Sequence, residues 1–195
     1  MPDERTIQVY SDRAADYAAF TKTDGAGRLL RGFIQRLQEG ALVLDYGCGP
    51  GTDSALMMQA GLKVEALDAT PAMVELAQSK GVNARLGTFF DLVSMALSVG
   101  IWASFSLLHA PRGDMPSHLD AIKRALKPGG HVQIAVKTGT GERRDSIGRL
   151  YTFYMPDDLC DLIRDAGLIV DEIHEGRDKG LDGGLANWVS VAAHG

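Results

Sequence analysis

The sequence predicts a doubly wound α/β fold, in which helices cover both faces of a mostly parallel, seven-stranded β-sheet. Apolar runs of strand length alternate along most of the chain with segments of helical periodicity, which is the pattern of β–α–β units. The last two strand-like runs are joined by a Gly- and Asp-rich segment without helical character, so we expect the last strand to be antiparallel. The length suits a single domain over residues 1–195, with residues 1–40 as a helical cap over the site.

The N-terminal portion is expected to be helical. In "YSDRAADYAAF" the side chains of Tyr10 and Tyr17 lie seven positions apart, which places them on one face of a helix. The stretch "GRLLRGFIQRLQEG" repeats apolar residues at helical spacing and stops at Gly40. We expect both tyrosines to close the site from the N-terminal side, and an ordinary amphipathic helix is the alternative explanation for them.

The alternation of strands and helices begins after Gly40. Thr70 and Pro71 suit the N-cap and first turn of a helix, and Pro156, followed by two acids, suits the start of another. The other boundaries follow from apolar runs bounded by Gly, Pro and Asp. The predicted strands cover 41–46, 63–68, 83–86, 100–104, 131–137, 168–174 and 188–193, and the predicted helices cover 53–59, 70–81, 118–126 and 156–166.

The composition indicates a soluble, cytoplasmic globular domain. Twenty Lys and Arg residues against 25 Asp and Glu residues give a net charge of −5, and the cations are scattered, so nucleic acid is not an expected partner. No apolar run approaches the ~20 residues of a membrane span, and the first residues lack the hydrophobic region of a signal peptide. Cys48 and Cys160 lie too far apart in sequence to suggest a disulfide framework or a metal site.

The stretch "VLDYGCGPGTD", residues 43–53, carries the strongest functional signal. Gly47, Gly49 and Gly51 stand between a predicted strand and a predicted helix, where glycine lets a ligand approach the backbone and contact the N–H groups of the loop. Asp68 ends the next predicted strand, where a carboxylate can accept hydrogen bonds from both hydroxyls of a ribose. A tight turn without a ligand is the alternative. A dinucleotide-binding loop would carry a third glycine at its sixth position, where this chain has Thr52.

These motifs resemble those of the class I S-adenosylmethionine-dependent methyltransferases. The stretch "VLDYGCGPG" of this chain is similar to the first motif of the family. Asp68 matches the family's ribose-binding acid, and "LKPGG" matches its turn into the fifth strand. The stretches "WASFSLLHAP" and "GRLYTFYMPDDLCDLIRDAGL" are similar to segments of small-molecule-type bacterial members. The resemblance covers most of the chain from Tyr10 onward. It implies a Rossmann-like fold, S-adenosyl-L-methionine as cofactor, S-adenosyl-L-homocysteine as product and in-line methyl transfer to a small molecule.

The resemblance also implies which residues hold the cofactor. Asp45 would lie under the glycine loop near the amino group, and Ser104 and Phe105 would approach the methionine part. The expected cofactor-binding residues are Tyr10, Tyr17, Asp45, Gly47, Cys48, Gly49, Gly51, Asp68, Ala69, Met73, Thr88, Phe89, Ser104 and Phe105.

Two positions depart from the family pattern. Thr88 and Val99 stand where the family often has acids. Adenine recognition is therefore expected to pass to the Thr88 hydroxyl, the Phe89 amide or Asp91.

The acceptor side is expected to involve His109, Lys137, Tyr151 and Tyr154. His109 follows the fourth predicted strand and is a candidate general base; packing or substrate positioning is the alternative. Lys137 and two arginines, Arg144 and Arg149, could bind an anionic substrate, with a solvated charged loop as the alternative.

Two other functions remain open from the sequence, namely a non-catalytic cofactor-binding domain and a nicotinamide-dependent oxidoreductase. No "DPPY"- or "NPPY"-like run follows the fourth strand, which argues against methylation of adenine or glutamine amino groups.

Overall fold

A computed structural model describes residues 2–20, 24–94 and 97–195. Its nine strands are β1 (Leu42–Tyr46), β2 (Lys63–Asp68), β3 (Asn83–Leu86), β4 (Ser98–Ser104), β5 (Leu126–Lys137), β6 (Glu142–Arg144), β7 (Leu150–Thr152), β8 (Ile169–Lys179) and β9 (Leu185–His194). Seven of them form one sheet in the order β3-β2-β1-β4-β5-β9-β8, and β6 and β7 form a separate hairpin.

The direction of the strands confirms the predicted fold class. The neighbouring strands among β1 to β5 all pair in parallel with one another. β9 lies between β5 and β8 and is antiparallel to both, as expected for the last strand of the chain.

Seven helices accompany the sheet in the described residues. They are α1 (Glu4–Asp12), α2 (Ala14–Phe20), α3 (Asp24–Gln35), α4 (Thr52–Gln59), α5 (Pro71–Ser79), α6 (Met115–Ala125) and α7 (Pro156–Asp165). Short 3₁₀ turns cover Phe89–Ser94, Leu107–His109 and Arg112–Asp114. None of the described helices is both long enough and apolar enough to cross a membrane.

Both faces of the sheet are buried because adjacent residues of a strand point to opposite faces. On β1, Leu44 belongs to the core that also includes residues of α6 and α7. Its neighbour Val43 belongs to the core with Phe33 of α3 and Trp102 of β4, whose ring centroids lie 5.2 Å apart. α3 therefore packs on the sheet itself.

Some boundaries differ from the predictions, and the largest difference lies at β8 and β9. Their ladder extends to the pair Lys179 and Leu185, well beyond the predicted ends at 174 and 188. The added residues are mostly exposed, so they carry no apolar alternation that could have predicted a strand. The hairpin of β6 and β7 was missed for a different reason, since each of its strands is only three residues long.

Candidate active site

A cavity of about 280 Å³ opens at the carboxyl ends of the parallel strands. Ligands of doubly wound folds bind at this edge of the sheet, because the strand order reverses there. Asp45 of β1, Asp68 of β2, Ser104 of β4 and Lys137 of β5 all line the cavity. The cavity therefore lies next to the glycine loop and Asp68, as the sequence predicted.

α1 and α2 cover one side of the cavity. Tyr10 and Tyr17 both line it, and their rings meet edge to face with centroids 5.2 Å apart. Burial raises the pKa of both phenols. α1 is fixed to the β6–β7 region by an ion pair of 2.7 Å between Asp3 and Arg144, so Arg144 holds the helix and does not line the cavity.

The glycine loop is shaped by two different steric requirements. Gly47 has a φ of 86°, and a Cβ there would lie 2.3 Å from Cβ of Ser106. Gly51 has a φ of 72°, and a Cβ there would lie 2.7 Å from Cβ of Ala77 on α5. Gly51 therefore packs the loop against α5 and does not line the cavity, whereas Gly47 and Gly49 do.

The N–H groups of the loop are all used within the protein, which corrects the expectation that they face the ligand. Those of Gly47 and Cys48 donate to the carbonyl of Leu67 at 2.8 and 3.0 Å, and that of Gly51 donates to the carbonyl of Cys48 at 3.0 Å. The N–H of Gly49 donates to Asp68, and Pro50 has none. Residues 47–51 therefore offer no free N–H donor to a phosphate.

Asp68 is held rigidly at the end of β2. Its two carboxylate oxygens accept hydrogen bonds of 2.8 Å, one from the N–H of Gly49 and one from the N–H of Thr70. Burial raises the pKa of Asp68, and the neighbouring Ala69 and Met73 also line the cavity.

Two further carboxylates, Asp45 and Asp53, lie beneath the loop. Asp45 is 2% exposed and accepts a hydrogen bond of 2.6 Å from the hydroxyl of Ser54. Its burial, together with the nearby charge of Asp53, raises its pKa to about 8. Asp53 accepts a bond of 2.9 Å from the indole N–H of Trp102, and burial raises its pKa as well. Sequence reasoning missed Asp53 as a site residue, although an acid in the first turn after a glycine loop is a visible signal.

The cavity wall after β3 contains the expected Thr88 and Phe89. Asp91 accepts hydrogen bonds from both the N–H and the hydroxyl of Thr88, at 2.7 and 2.9 Å, but does not itself line the cavity. Of the three groups expected to recognise adenine, Asp91 therefore lies outside the cavity and holds Thr88 in place. Phe90 and His118, whose rings lie 4.9 Å apart, complete this wall and were not predicted.

His109 also lines the cavity, and both of its ring nitrogens form hydrogen bonds. Nδ1 lies 2.6 Å from the carbonyl oxygen of Leu150, which can only accept, so Nδ1 carries the proton. Nε2 lies 2.8 Å from the hydroxyl of Tyr10 and accepts a hydrogen bond from it. Burial lowers the pKa of His109 to about 3. The Tyr10 oxygen also accepts a bond of 2.9 Å from Arg149.

The remaining acceptor-side predictions separate into two groups. Lys137 and Tyr151 line the cavity, beside Arg149. Tyr154 does not: it is fully buried beneath the guanidinium of Arg112, whose central carbon lies 4.5 Å from the ring centroid. Trp188 lines the cavity and was not predicted as a site residue.

Phe105 closes the end of β4 in a strained conformation. Its φ is 53°, a left-handed value that is rare for an aromatic residue. The N–H of Phe105 donates to the carbonyl of Ala135 at 2.9 Å, and its ring meets the ring of Trp188 edge to face at 6.2 Å. Strained residues of this kind concentrate at functional sites.

Comparisons with known proteins agree with this geometry. A family model described as a methyltransferase domain matches residues 43–130. The cypemycin N-terminal methyltransferase of a Streptomyces species is 30% identical over 140 residues, which cover 66% of this chain and 53% of that protein. The ubiquinone biosynthesis O-methyltransferase of Xanthomonas oryzae pv. oryzae is 32% identical over 109 residues, or 52% of this chain and 45% of that protein. These matches support assignment of the chain to the class I S-adenosylmethionine-dependent methyltransferases. It spans about half the length of these curated relatives.

A solved structure of this methyltransferase fold shows the same architecture. The 1,6-didemethyltoxoflavin-N1-methyltransferase of Burkholderia thailandensis has a TM-score of 0.75 at 23% identity, covering 98% of this chain and 87% of that chain. That structure holds 1,6-didemethyltoxoflavin and S-adenosylhomocysteine. The family uses S-adenosylmethionine as its methyl donor.

Proposed function

We propose that this protein transfers a methyl group from S-adenosylmethionine to a small-molecule acceptor. The observation that carries the proposal is the pairing of a rigid Asp68 carboxylate with a glycine loop that has no free N–H group. Asp68 is suited to the hydroxyls of a ribose. The loop is suited to a nucleoside without phosphates, because a pyrophosphate needs free backbone donors.

The carboxylates at this end of the cavity also fit the positive charges of the cofactor. Asp45 and Asp53 lie within the lining, beside Asp68, and burial raises the pKa of both, with repulsion by the charge of Asp53 adding to the effect at Asp45. A bound ammonium group would favour their ionised forms and would relieve that repulsion. When bound, S-adenosylmethionine supplies an electrophilic methyl group on a sulfonium that leaves as a neutral thioether.

The protein's part in the reaction is to align the acceptor and exclude water. The strained Phe105 and the aromatic rings of Tyr10, Tyr17 and Trp188 surround the space next to the methionine end. Alignment of two reactants can supply ~7–11 kcal/mol in favourable cases. A leaving thioether needs no protonation, so no general acid is required.

His109 is better suited to positioning than to general-base catalysis. Its Nε2 already accepts a hydrogen bond from the Tyr10 hydroxyl, and its Nδ1–H donates to the carbonyl oxygen of Leu150. With its pKa lowered to about 3, the ring is a weak base at neutral pH. We assign His109 the role of orienting Tyr10 toward the cavity.

The acceptor cannot be carried over from the relatives. Their names describe methylation at the N-terminus of cypemycin, of an oxygen in ubiquinone biosynthesis and at N1 of 1,6-didemethyltoxoflavin. Acceptor pockets of one fold are built from variable segments, here α1, α2 and the β6–β7 hairpin.

A labelling experiment tests the proposal. The protein is incubated with S-adenosylmethionine labelled in the methyl group and with a cell extract from which macromolecules have been removed. We expect label to appear in a small molecule, together with S-adenosylhomocysteine, and to be lost with Asp68→Ala. Tight cofactor binding without any transfer would favour the non-catalytic alternative.

A further inference from the structure

The cavity lining contains charges of both signs. Three carboxylates, Asp45, Asp53 and Asp68, lie beneath the glycine loop. Lys137 and Arg149 line the part where we place the acceptor. The lining also includes Lys179, Asp114, Asp3, which is paired with Arg144, and Asp178, which accepts a hydrogen bond from the indole N–H of Trp188. The carboxylates beneath the loop are complementary to a cationic cofactor, whereas the charges of Lys137 and Arg149 need another explanation.

Arg149 is compensated within the protein. It is 2% exposed, and its guanidinium forms an ion pair of 2.8 Å with Asp145. It also donates to Tyr10 at 2.9 Å. These contacts give Arg149 a structural role in holding α1 against the β6–β7 hairpin.

Lys137 is not compensated in this way. It ends β5 as a half-buried residue, and among the described residues its ammonium has neither a hydrogen bond nor an ion pair. Its contact is with the face of Tyr151, whose ring centroid lies 3.9 Å from Nζ. The charges of Asp182 and Asp145 act on it only from a distance. Burying a cation without a counter-ion costs free energy, so a retained cation of this kind suits an anionic ligand.

The surfaces around Lys137 are aromatic. Tyr151 lies beneath the ammonium, and Trp188 and Phe105 continue the cavity wall toward β4. A planar or apolar body could pack on these rings while a charged group reached Nζ. The remaining phenols here, Tyr10 and Tyr17, add to this wall.

We propose that the acceptor is an organic anion whose charged group is held by Lys137, with its apolar body against Tyr151, Trp188 and Phe105. This deepens the proposed function and rests on it, because it names the acceptor class of the same cavity. An anion next to a sulfonium is also favoured by Coulomb attraction in a site of low dielectric.

The test compares two small probes of the same shape, benzoate and the neutral benzamide, on protein saturated with S-adenosylhomocysteine. Ligand-observed NMR titration gives the affinity of each. We expect benzoate to bind at least about tenfold more tightly than benzamide to the wild type. Lys137→Met should abolish this preference, Lys137→Arg should retain most of it, and Lys127→Met, at an exposed lysine of the same strand, should leave it unchanged.

Equal affinity for the two probes on the wild type would overturn the proposal, and so would a preference that survives in a folded Lys137→Met protein. Should Lys137→Met fail to fold, the wild-type comparison and the Lys137→Arg protein decide the matter alone. Affinity for S-adenosylhomocysteine is measured first. Its absence would contradict the proposed function, whereas its presence without charge discrimination contradicts only the anionic acceptor.

Discussion

The chemistry of this protein is concentrated in buried residues whose polar groups are each fixed by a neighbour. Asp68 is held by two amides, Asp45 by the Ser54 hydroxyl and His109 by Tyr10 and Leu150. The presence of Asp68 and His109 in the site could be predicted from their places after strands. Their partners could not, because those contacts join segments distant in sequence, such as His109 and Leu150.

Replacing Asp68 tests the ribose assignment. Asp68→Ala should weaken binding of S-adenosylhomocysteine at least about 100-fold, because two hydrogen bonds to a charged group are lost at ~1.5–3 kcal/mol each. Calorimetry measures the affinity, and Glu65→Ala on the same strand is the matched control. Undiminished affinity in a folded Asp68→Ala protein would contradict the assignment.

Replacing Asp45 tests the electrostatics beneath the loop. Its pKa of about 8 in the folded protein lies above the ~3.9 of an unfolded aspartate, so the stability it contributes is fully present at low pH and is lost as pH rises from ~4 to ~8. Asp45→Asn removes this loss. The gain in free energy of unfolding over the wild type should therefore grow by more than ~1 kcal/mol between pH 5 and pH 8, measured by urea denaturation. A gain that does not change with pH would show that Asp45 ionises normally.

The protonation of His109 can be observed directly. Because its pKa is lowered to about 3, the Cε1–H resonance of His109 should not shift between pH 5 and pH 8 in the folded protein. NMR titration measures this, with assignment by His109→Phe. In urea the same residue should titrate near ~6.5. A folded-state inflection near neutral pH would restore the general-base role.

Among the elements, β2 and β3 were the most predictable. Lys63–Asp68 and Asn83–Leu86 match the predicted strands at both ends, because a glycine-containing turn precedes each one. The β6–β7 hairpin was not predictable, since its three-residue strands are stabilised by contacts with α1. One of these is the bond of 2.8 Å from the N–H of Leu150 to the hydroxyl of Thr6.

The glycine loop offers a matched pair of substitutions. An alanine at Gly47 would place Cβ 2.3 Å from Cβ of Ser106, whereas at Gly49 the nearest atom is a Tyr17 ring carbon at 3.4 Å. Gly47→Ala should therefore lower the free energy of unfolding by at least ~2 kcal/mol more than Gly49→Ala, which bears mainly the ~1 kcal/mol of its positive φ. Chemical denaturation compares the two. Equal losses would mean that the loop relaxes away from Ser106.

At the scale of the whole molecule, alternating strands and helices were enough to predict a parallel sheet with its site at the carboxyl edge. The order of the strands was not, because it depends on which edges pair after collapse. The combination of charges in the cavity was also not visible in the sequence. It arises because β1 and β2 contribute acids at the edge where β5 contributes Lys137.

Parallel calorimetric titration of the purified protein with S-adenosylmethionine, S-adenosylhomocysteine and NADH tests the central claim most directly. A loop without free N–H groups beside a rigid Asp68 should bind both sulfur nucleosides at micromolar concentration and should not bind NADH. Binding of NADH, or no binding of either sulfur nucleoside, would contradict the assignment of this cavity to S-adenosylmethionine.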